Sequence, residues 1–201
     1  MSPPVSSIRI VVIIGTVRPG NYTAKAAALV ANQLSAQPGV QVDVVDPAAL
    51  RLDFPGRDSG SGDAEALRKT VSLATGVIIA TPEYHGSFSS VTKLVIENLG
   101  FPSVLAGKPV ALLGVAAGQI GAIKSLEALA SVCSHVGAIV LPGSVSVAGV
   151  QSAFDKDGNC LNPGVEKRVR AVATNLLDYI HGSICPRMTL EAMARENQQS
   201  T

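Results

Sequence analysis

Three stretches of this chain are apolar without interruption: IRIVVIIG at residues 8–15, GVIIA at 76–80 and PVALLGV at 109–115. A strand with one face in water alternates apolar and polar residues. An unbroken run of Ile, Val, Leu and Ala suits a strand covered on both faces, as in a parallel sheet sandwiched by helices. VQVDVVD at 40–46 does alternate and reads as a more exposed strand, and GAIVLPG at 137–143 supplies a fifth. Helical periodicity fills the gaps. Residues 23–36 place Ala27, Val30, Ala31 and Leu34 on one face, and 63–74, 89–99, 120–133 and 164–180 repeat the pattern. Strand and helix thus alternate five times, so the expected fold is α/β: a doubly wound five-stranded parallel sheet, helices on both faces, with right-handed crossovers.

A length of 201 residues, 47% hydrophobic and 15% charged, fits one domain with a sizeable core. The expected domain is 1–184, followed by a tail at 185–201 that is either a frayed helix or an arm packed on a partner subunit. Aromatic residues are 3% with no Trp, so Ala, Val, Ile and Leu must build the core. A net charge of +1 gives no field to hold nucleic acid and no acidic face for docking a redox partner. Cys133, Cys160 and Cys185 are odd in number and lack metal-ligand spacing, which points to a reducing compartment and no metal site, with Cys133 a small buried hydrophobe. The apolar run after Arg9 is too short for a signal sequence and no run reaches membrane-spanning length, so a cytoplasmic protein is expected.

In an open α/β sheet, ligands bind beyond the carboxyl ends of the strands. Three loops at that edge are unusual. GTVRPGNYT, at 15–23, offers hydroxyls on Thr16 and Thr23, the Asn21 amide, the Arg18 guanidinium and mobile backbone at Gly15 and Gly20, a donor set suited to a phosphate at a helix N-terminus. The plainer alternative is a turn in which Thr23 caps the helix. Neither GxxxxGK[ST] nor GxGxxG is present, so nucleoside triphosphate hydrolysis and the dinucleotide fingerprint lose support. TPEYHGS, at 81–87, joins a stiff Pro82 to Glu83, Tyr84, His85 and Gly86; the two rings could flank a flat ligand, and Ser87 or Ser89 would cap the next helix. VAAGQIGA, at 115–122, frees backbone N–H groups around Gly118 and Gly121. Elsewhere, Asp63 is the expected cap of its helix, residues 142–164 are long for a connection and hence a functional candidate, and DKDG at 155–158 reads as a hairpin turn.

GTVRPGN, the PEYHGS loop, Lys93 in the helix after it and the Gly-rich loop after the fourth strand together resemble the NADPH-dependent FMN reductase family of the flavodoxin-like superfamily, over about residues 8–181. The PEYxGS motif at this position is the more specific match. The resemblance implies strand order 2-1-3-4-5 and a single FMN-binding domain. It implies that Thr16, Arg18, Asn21, Tyr22 and Thr23 gather at the FMN phosphate, that Pro82, Glu83, Tyr84, His85 and Gly86 line the isoalloxazine, and that Ala117, Gly118 and Gln119 sit on its pyrimidine side. The chain departs from the family pattern with His85 where Asn is common, Asn21 where a hydroxyl is frequent, FSSVTK in place of a Pro/Gly-containing stretch, and Leu94 where Asn often follows the Lys.

By this resemblance the protein is an FMN-dependent NAD(P)H:acceptor oxidoreductase, with no side chain serving as catalyst because the flavin carries the electrons. NADPH or NADH would be the donor and FMN, a quinone, an azo dye, chromate or a ferric chelate the acceptor, in a homodimer or homotetramer. Residues 142–164, the 53–62 loop and Tyr84 are the expected subunit contacts. Two other readings stand beside it. An FMN-binding electron carrier would need an acidic face that 16 basic against 15 acidic residues do not supply. A non-flavin phosphate-binding α/β module would need paired acids or a nucleophile elbow, and Glu83 is the only acid in the three loops.

Overall fold

A computed structural model describes residues 8–199. The first helix-bearing half runs β1 (Ile8–Ile14), α1 (Tyr22–Ser35), β2 (Val40–Val45), α2 (Asp63–Ser72), β3 (Gly76–Tyr84), β4 (Ser87–Phe88) and α3 (Ser90–Glu97). The second runs β5 (Pro109–Val115), α4 (Ile123–His135), β6 (Ile139–Val140), β7 (Val145–Val147), α5 (Val150–Ala153), α6 (Pro163–Tyr179) and α7 (Cys185–Gln199). The main sheet is parallel with the order β2-β1-β3-β5-β6, so its five positions match the expected order and the strand count does not: there are seven strands among the described residues.

The two additional strands have local causes. The expected fifth strand at 137–143 is split, and β6 and β7 both pair with β5. Pro142 interrupts the ladder because it has no N–H to give, and Gly143 turns the chain at φ 82°. The other addition is β4. The third strand does not stop at Ala80: Thr81 and Pro82 stay in register with Gly114 and Val115 of β5, and Glu83 and Tyr84 then pair antiparallel with Phe88 and Ser87. The tip of this hairpin is His85-Gly86, with φ of 51° and 74°. Two consecutive positive φ values are the mark of a type I′ turn, whose preferred residues are Asn-Gly.

Both faces of β1 are buried, as its unbroken apolar run requires. Ile10, Val12 and Ile14 join Ala26, Val30 and Leu34 of α1 and Val169, Val172 and Leu176 of α6 in one core. Val11 and Ile13 face the other way, into Leu67 and Val71 of α2, Val95 of α3 and Leu126, Leu129 and Cys133 of α4. Cys133 is fully buried, and the loss of water around it pushes its thiol up to about 12, so it packs as a hydrophobe. Asp63 is not the cap of α2; Gly62 holds that place and the Asp63 carboxylate instead accepts the Arg51 N–H at 2.8 Å. Of the alternatives at α3, Ser89 is the cap, accepting the Thr92 N–H at 3.0 Å. The stretch around DKDG closes on itself through a Phe154–Cys160 bridge and Gly158 at φ 94°. Beyond α6 the chain stays helical through α7, whose side chains from Pro186 to Arg195 are exposed. Residues 1–7 and 200–201 lie outside the described residues.

Gly15 closes β1 against the start of α3. A Cβ there would stand 2.1 Å from Thr92 Oγ1 and 2.7 Å from the Ala80 carbonyl oxygen. Gly15→Ala is therefore expected to destabilise the fold by about 1–3 kcal/mol through overpacking, read as a lower urea midpoint. At the hairpin tip, His85→Asn should leave the midpoint equal or slightly higher, since Asn tolerates the left-handed region well, whereas His85→Val should cost about 1–2 kcal/mol. Equal midpoints for the Asn and Val variants would refute the turn assignment.

Candidate functional site

The carboxyl ends of β1, β3 and β5 open into a cleft of about 360 Å³, lined by the loop before α1, the outer end of β3 and the exit of β5. Two hollows of about 320 and 380 Å³ adjoin it. One lies between the hairpin tip and residues 116–121, and the other between Arg18, Tyr84, His85 and the start of α3.

Asn21 organises the first wall. Its side-chain oxygen accepts the Ala24 N–H at 2.6 Å, capping α1, and its amide donates to the Arg18 carbonyl at 2.7 Å, closing the loop. Asn is among the best N-caps, so the residue suits this place. The cap leaves the Tyr22 and Thr23 N–H groups as free first-turn donors. No acidic side chain stands in that turn, so the positive end of the 14-residue helix is uncompensated. Thr23 lines the cleft although it is 1% exposed. Thr16 is turned inward at 2% exposure and its hydroxyl accepts the Arg18 N–H at 3.3 Å, so it shapes the loop and does not line the cleft. Tyr22 lines it and packs its ring 6.5 Å from that of Phe154. Arg18 spans the opening, its guanidinium 5.8 Å from the centre of the Tyr84 ring.

The second wall is the outer half of β3. Pro82, Glu83 and Tyr84 line the main cleft, and His85 and Gly86 line the hollow beside it. Glu83 has a structural partner: its carboxylate accepts the Ser125 N–H at 3.1 Å in the first turn of α4, a helix with no side-chain cap of its own. This wall is welded to the first by buried hydroxyls. Ser89 Oγ donates to the Gly15 carbonyl, Thr92 Oγ1 lies 3.3 Å from the same oxygen and 3.0 Å from Thr81 Oγ1, and Thr81 Oγ1 also accepts the Ser89 N–H at 3.3 Å. Thr81, Ser89 and Thr92 are at most 2% exposed, and no buried side-chain polar atom among the described residues lacks a partner.

The third wall is the loop after β5. Ala117 lines the cleft and its neighbouring hollow, while Gly118 and Gln119 line the hollow. The place where a Cβ of Gly118 would stand has nothing within 4 Å. This loop is clasped from behind by the 142–164 segment: Ser146 Oγ accepts the Ala122 N–H at 2.8 Å, and the Gly149 and Val150 N–H groups bond the carbonyls of Gly118 and Ala116. Val150 and Gln151 reach the main cleft themselves. Sequence reasoning singled out their segment for its length without naming them, and it passed over Pro19 and Ala116, which also line the cleft.

The geometry can be set beside known proteins. An NADPH azoreductase of Bacillus sp. (strain OY1-2) is 29% identical over 175 residues, 86% of this chain and 94% of the relative. A 2-hydroxy-1,4-benzoquinone reductase of Burkholderia sp. is 27% identical over 166 residues, 80% of this chain and 90% of the relative. FerB, a flavoenzyme NAD(P)H:(acceptor) oxidoreductase from Paracoccus denitrificans, superposes with a TM-score of 0.72 at 20% identity, covering 87% of this chain and 98% of that one, which shows a shared flavodoxin-like fold. The family model for NADPH-dependent FMN reductase matches residues 8–152, more than half of the chain, and the protein belongs to that family.

Proposed function

We propose that this protein is an FMN-dependent NAD(P)H:acceptor oxidoreductase whose site is the cleft at the carboxyl ends of β1, β3 and β5. The observation that carries the assignment of the site is the meeting, in one cleft, of an uncompensated helix N-terminus with a flat wall and a donor-rich loop. The residues fit a flavin nucleotide. The first turn of α1 and Arg18 supply N–H groups and a cation for a phosphate dianion. Pro82, Glu83 and Tyr84 give an extended wall for a planar ring system, and the cleft volume lies in the range of small-ligand sites.

Bound FMN would supply the redox chemistry, taking hydride from the nicotinamide and passing electrons to a small acceptor. The chain's part is to hold and tune. Arg18 would bridge the phosphate end and the Tyr84 ring, tying two walls across the ligand. Backbone N–H groups at 117–119 would stabilise negative charge on the ring's pyrimidine side, donors fixed in place by the clasp from Ser146, Gly149 and Val150. Glu83, occupied at the α4 N-terminus, would line the ring without acting as an acid or base. This also weakens the non-flavin reading, which needs that carboxylate for chemistry.

A homodimer or homotetramer in the cytoplasm is the setting we infer, with the domain ending near 184 and the rest an appendage. Two of the chain's four Phe residues support association: Phe54 is 63% and Phe101 95% exposed, exposures that a second copy would relieve. No helix among the described residues is long and apolar enough to cross a membrane.

The purified protein, loaded with FMN and freed of excess, is expected to be yellow and to bleach anaerobically with NADPH or NADH. Arg18→Ala should weaken FMN about ten- to a hundredfold while leaving riboflavin, which lacks the phosphate, nearly unchanged. A protein that takes up no flavin and oxidises no nucleotide when FMN is supplied would sink the proposal. An equal loss for riboflavin would remove Arg18 from the phosphate.

A further inference from the structure

The hairpin tip divides the space beside the cofactor cleft, and its far side is a hollow of about 320 Å³ between His85-Gly86 and the loop at 116–121. A lysine borders it. The aliphatic stem of Lys124, in the first turn of α4, crosses Gly86, its Cδ 3.6 Å from where a Cβ would stand. His85 is exposed and lines this hollow and the neighbouring one, where Arg18 also stands. Glu83 is the one carboxylate lining the cleft or either hollow, and it is engaged at the α4 N-terminus.

Arg9, Arg68, Lys93, Arg170 and Arg187 each have a carboxylate partner. Lys124 and Arg18, like several other basic residues, have none within 4.0 Å among the described residues, so their charge at this edge is available to a ligand. Helices α2 and α6 carry acids in their first turns, Asp63 and Glu65 in one and Glu166 in the other. The helices that begin at this cleft, α1, α3 and α4, carry none, nor does α7, and at α4 the Glu83 carboxylate offsets the helix end from another element. The chain as a whole is only +1, so the excess is local. A neutral, apolar reaction partner has no use for it, and the cofactor phosphate would occupy only the α1 end.

Resting on the flavin assignment above, we propose that Lys124 and His85 form a specificity edge that binds an anionic group, a phosphate or a sulfonate, on the molecule sharing the cleft with FMN. That group belongs to the nucleotide donor or to the acceptor, and its chemistry is the same in both cases. Lys124 meets it with a mobile point charge and His85 with a ring N–H, from a turn whose backbone is fixed by the hairpin.

The test is equilibrium binding to the FMN-loaded protein by calorimetry, with redox-inert probes: NADP+, naphthalene disulfonate and the neutral naphthalenediol. Lys124→Met keeps the stem over Gly86 and removes the charge, Lys124→Glu reverses it, and His85→Asn keeps the turn. Flavin absorbance reports that each variant is folded and loaded. Lys124→Glu is expected to weaken the anionic probes about three- to tenfold and to leave the diol unchanged, with Lys124→Met and His85→Asn in between. Loss confined to NADP+ assigns the edge to the donor's phosphates, and loss confined to the disulfonate assigns it to the acceptor. Unchanged binding of both anions, or equal loss of the diol, overturns the proposal. Should the protein hold no flavin, the flavin reading fails separately, and the same titrations on the flavin-free protein still read the hollow.

Discussion

The Gly15 carbonyl is the point on which the site hangs. It leaves β1 where the sheet ends, and the hydroxyls of Ser89 and Thr92 meet it there, with Thr81 completing the group. All are buried, so an unmet partner would carry the full desolvation penalty, and the arrangement holds as a unit. Its effect is to fix the distance between two walls that are far apart in the chain. Gly15 is the only residue type that fits, because Thr92 Oγ1 and the Ala80 carbonyl occupy the space of a Cβ. The loop before α1 and the hairpin after β3 are thus mounted on one rigid joint, and a ligand lying between them meets surfaces that need little reorganisation.

Around that joint the helix ends are used unequally. The Asn21 cap satisfies one N–H of α1 and leaves others facing outward, with no acid to offset the helix dipole. At α3, Ser89 both caps the helix and holds the Gly15 carbonyl, so that end serves the frame. At α4 the Glu83 carboxylate supplies the missing cap from another element, which pins the hairpin to the helix and spends its charge. Three similar helix starts therefore serve three different ends: one left for a ligand, one built into the joint and one neutralised by the wall.

Much of this could be read before any coordinates. Unbroken apolar runs identified the central strands, and three polar or Gly-rich loops after them marked the edge where the cleft lies. What escaped was non-local or disguised. The Gly15–Thr92 contact joins residues 77 positions apart, and neither residue announces it. Asn-Gly is the familiar signal for a two-residue hairpin, but here His85 takes the Asn place, which hides the turn within a loop that also faces the hollow. Asp63 looked like a cap from its position, yet Gly62 adopts the left-handed entry and frees the carboxylate for Arg51. The clasp by Ser146, Gly149 and Val150 depends on β7, a strand that exists only because Pro142 and Gly143 break the preceding one.

The position of a polar, ring-bearing cluster at the end of the greasiest strand follows from the same mechanics. From Gly76 to Pro82 every residue of β3 is buried, so the inner part of this strand is firmly anchored in the sheet. Glu83 and Tyr84 continue its line past the point where β5 ends, and β4 returns to support them. A group carried on such an extension inherits the rigidity of the core while standing in the open. A loop of the same composition without the hairpin would have to order itself around each ligand, at a cost in conformational entropy for every residue fixed. The strand's apolar half and its polar tip are therefore one device, the first holding still what the second presents.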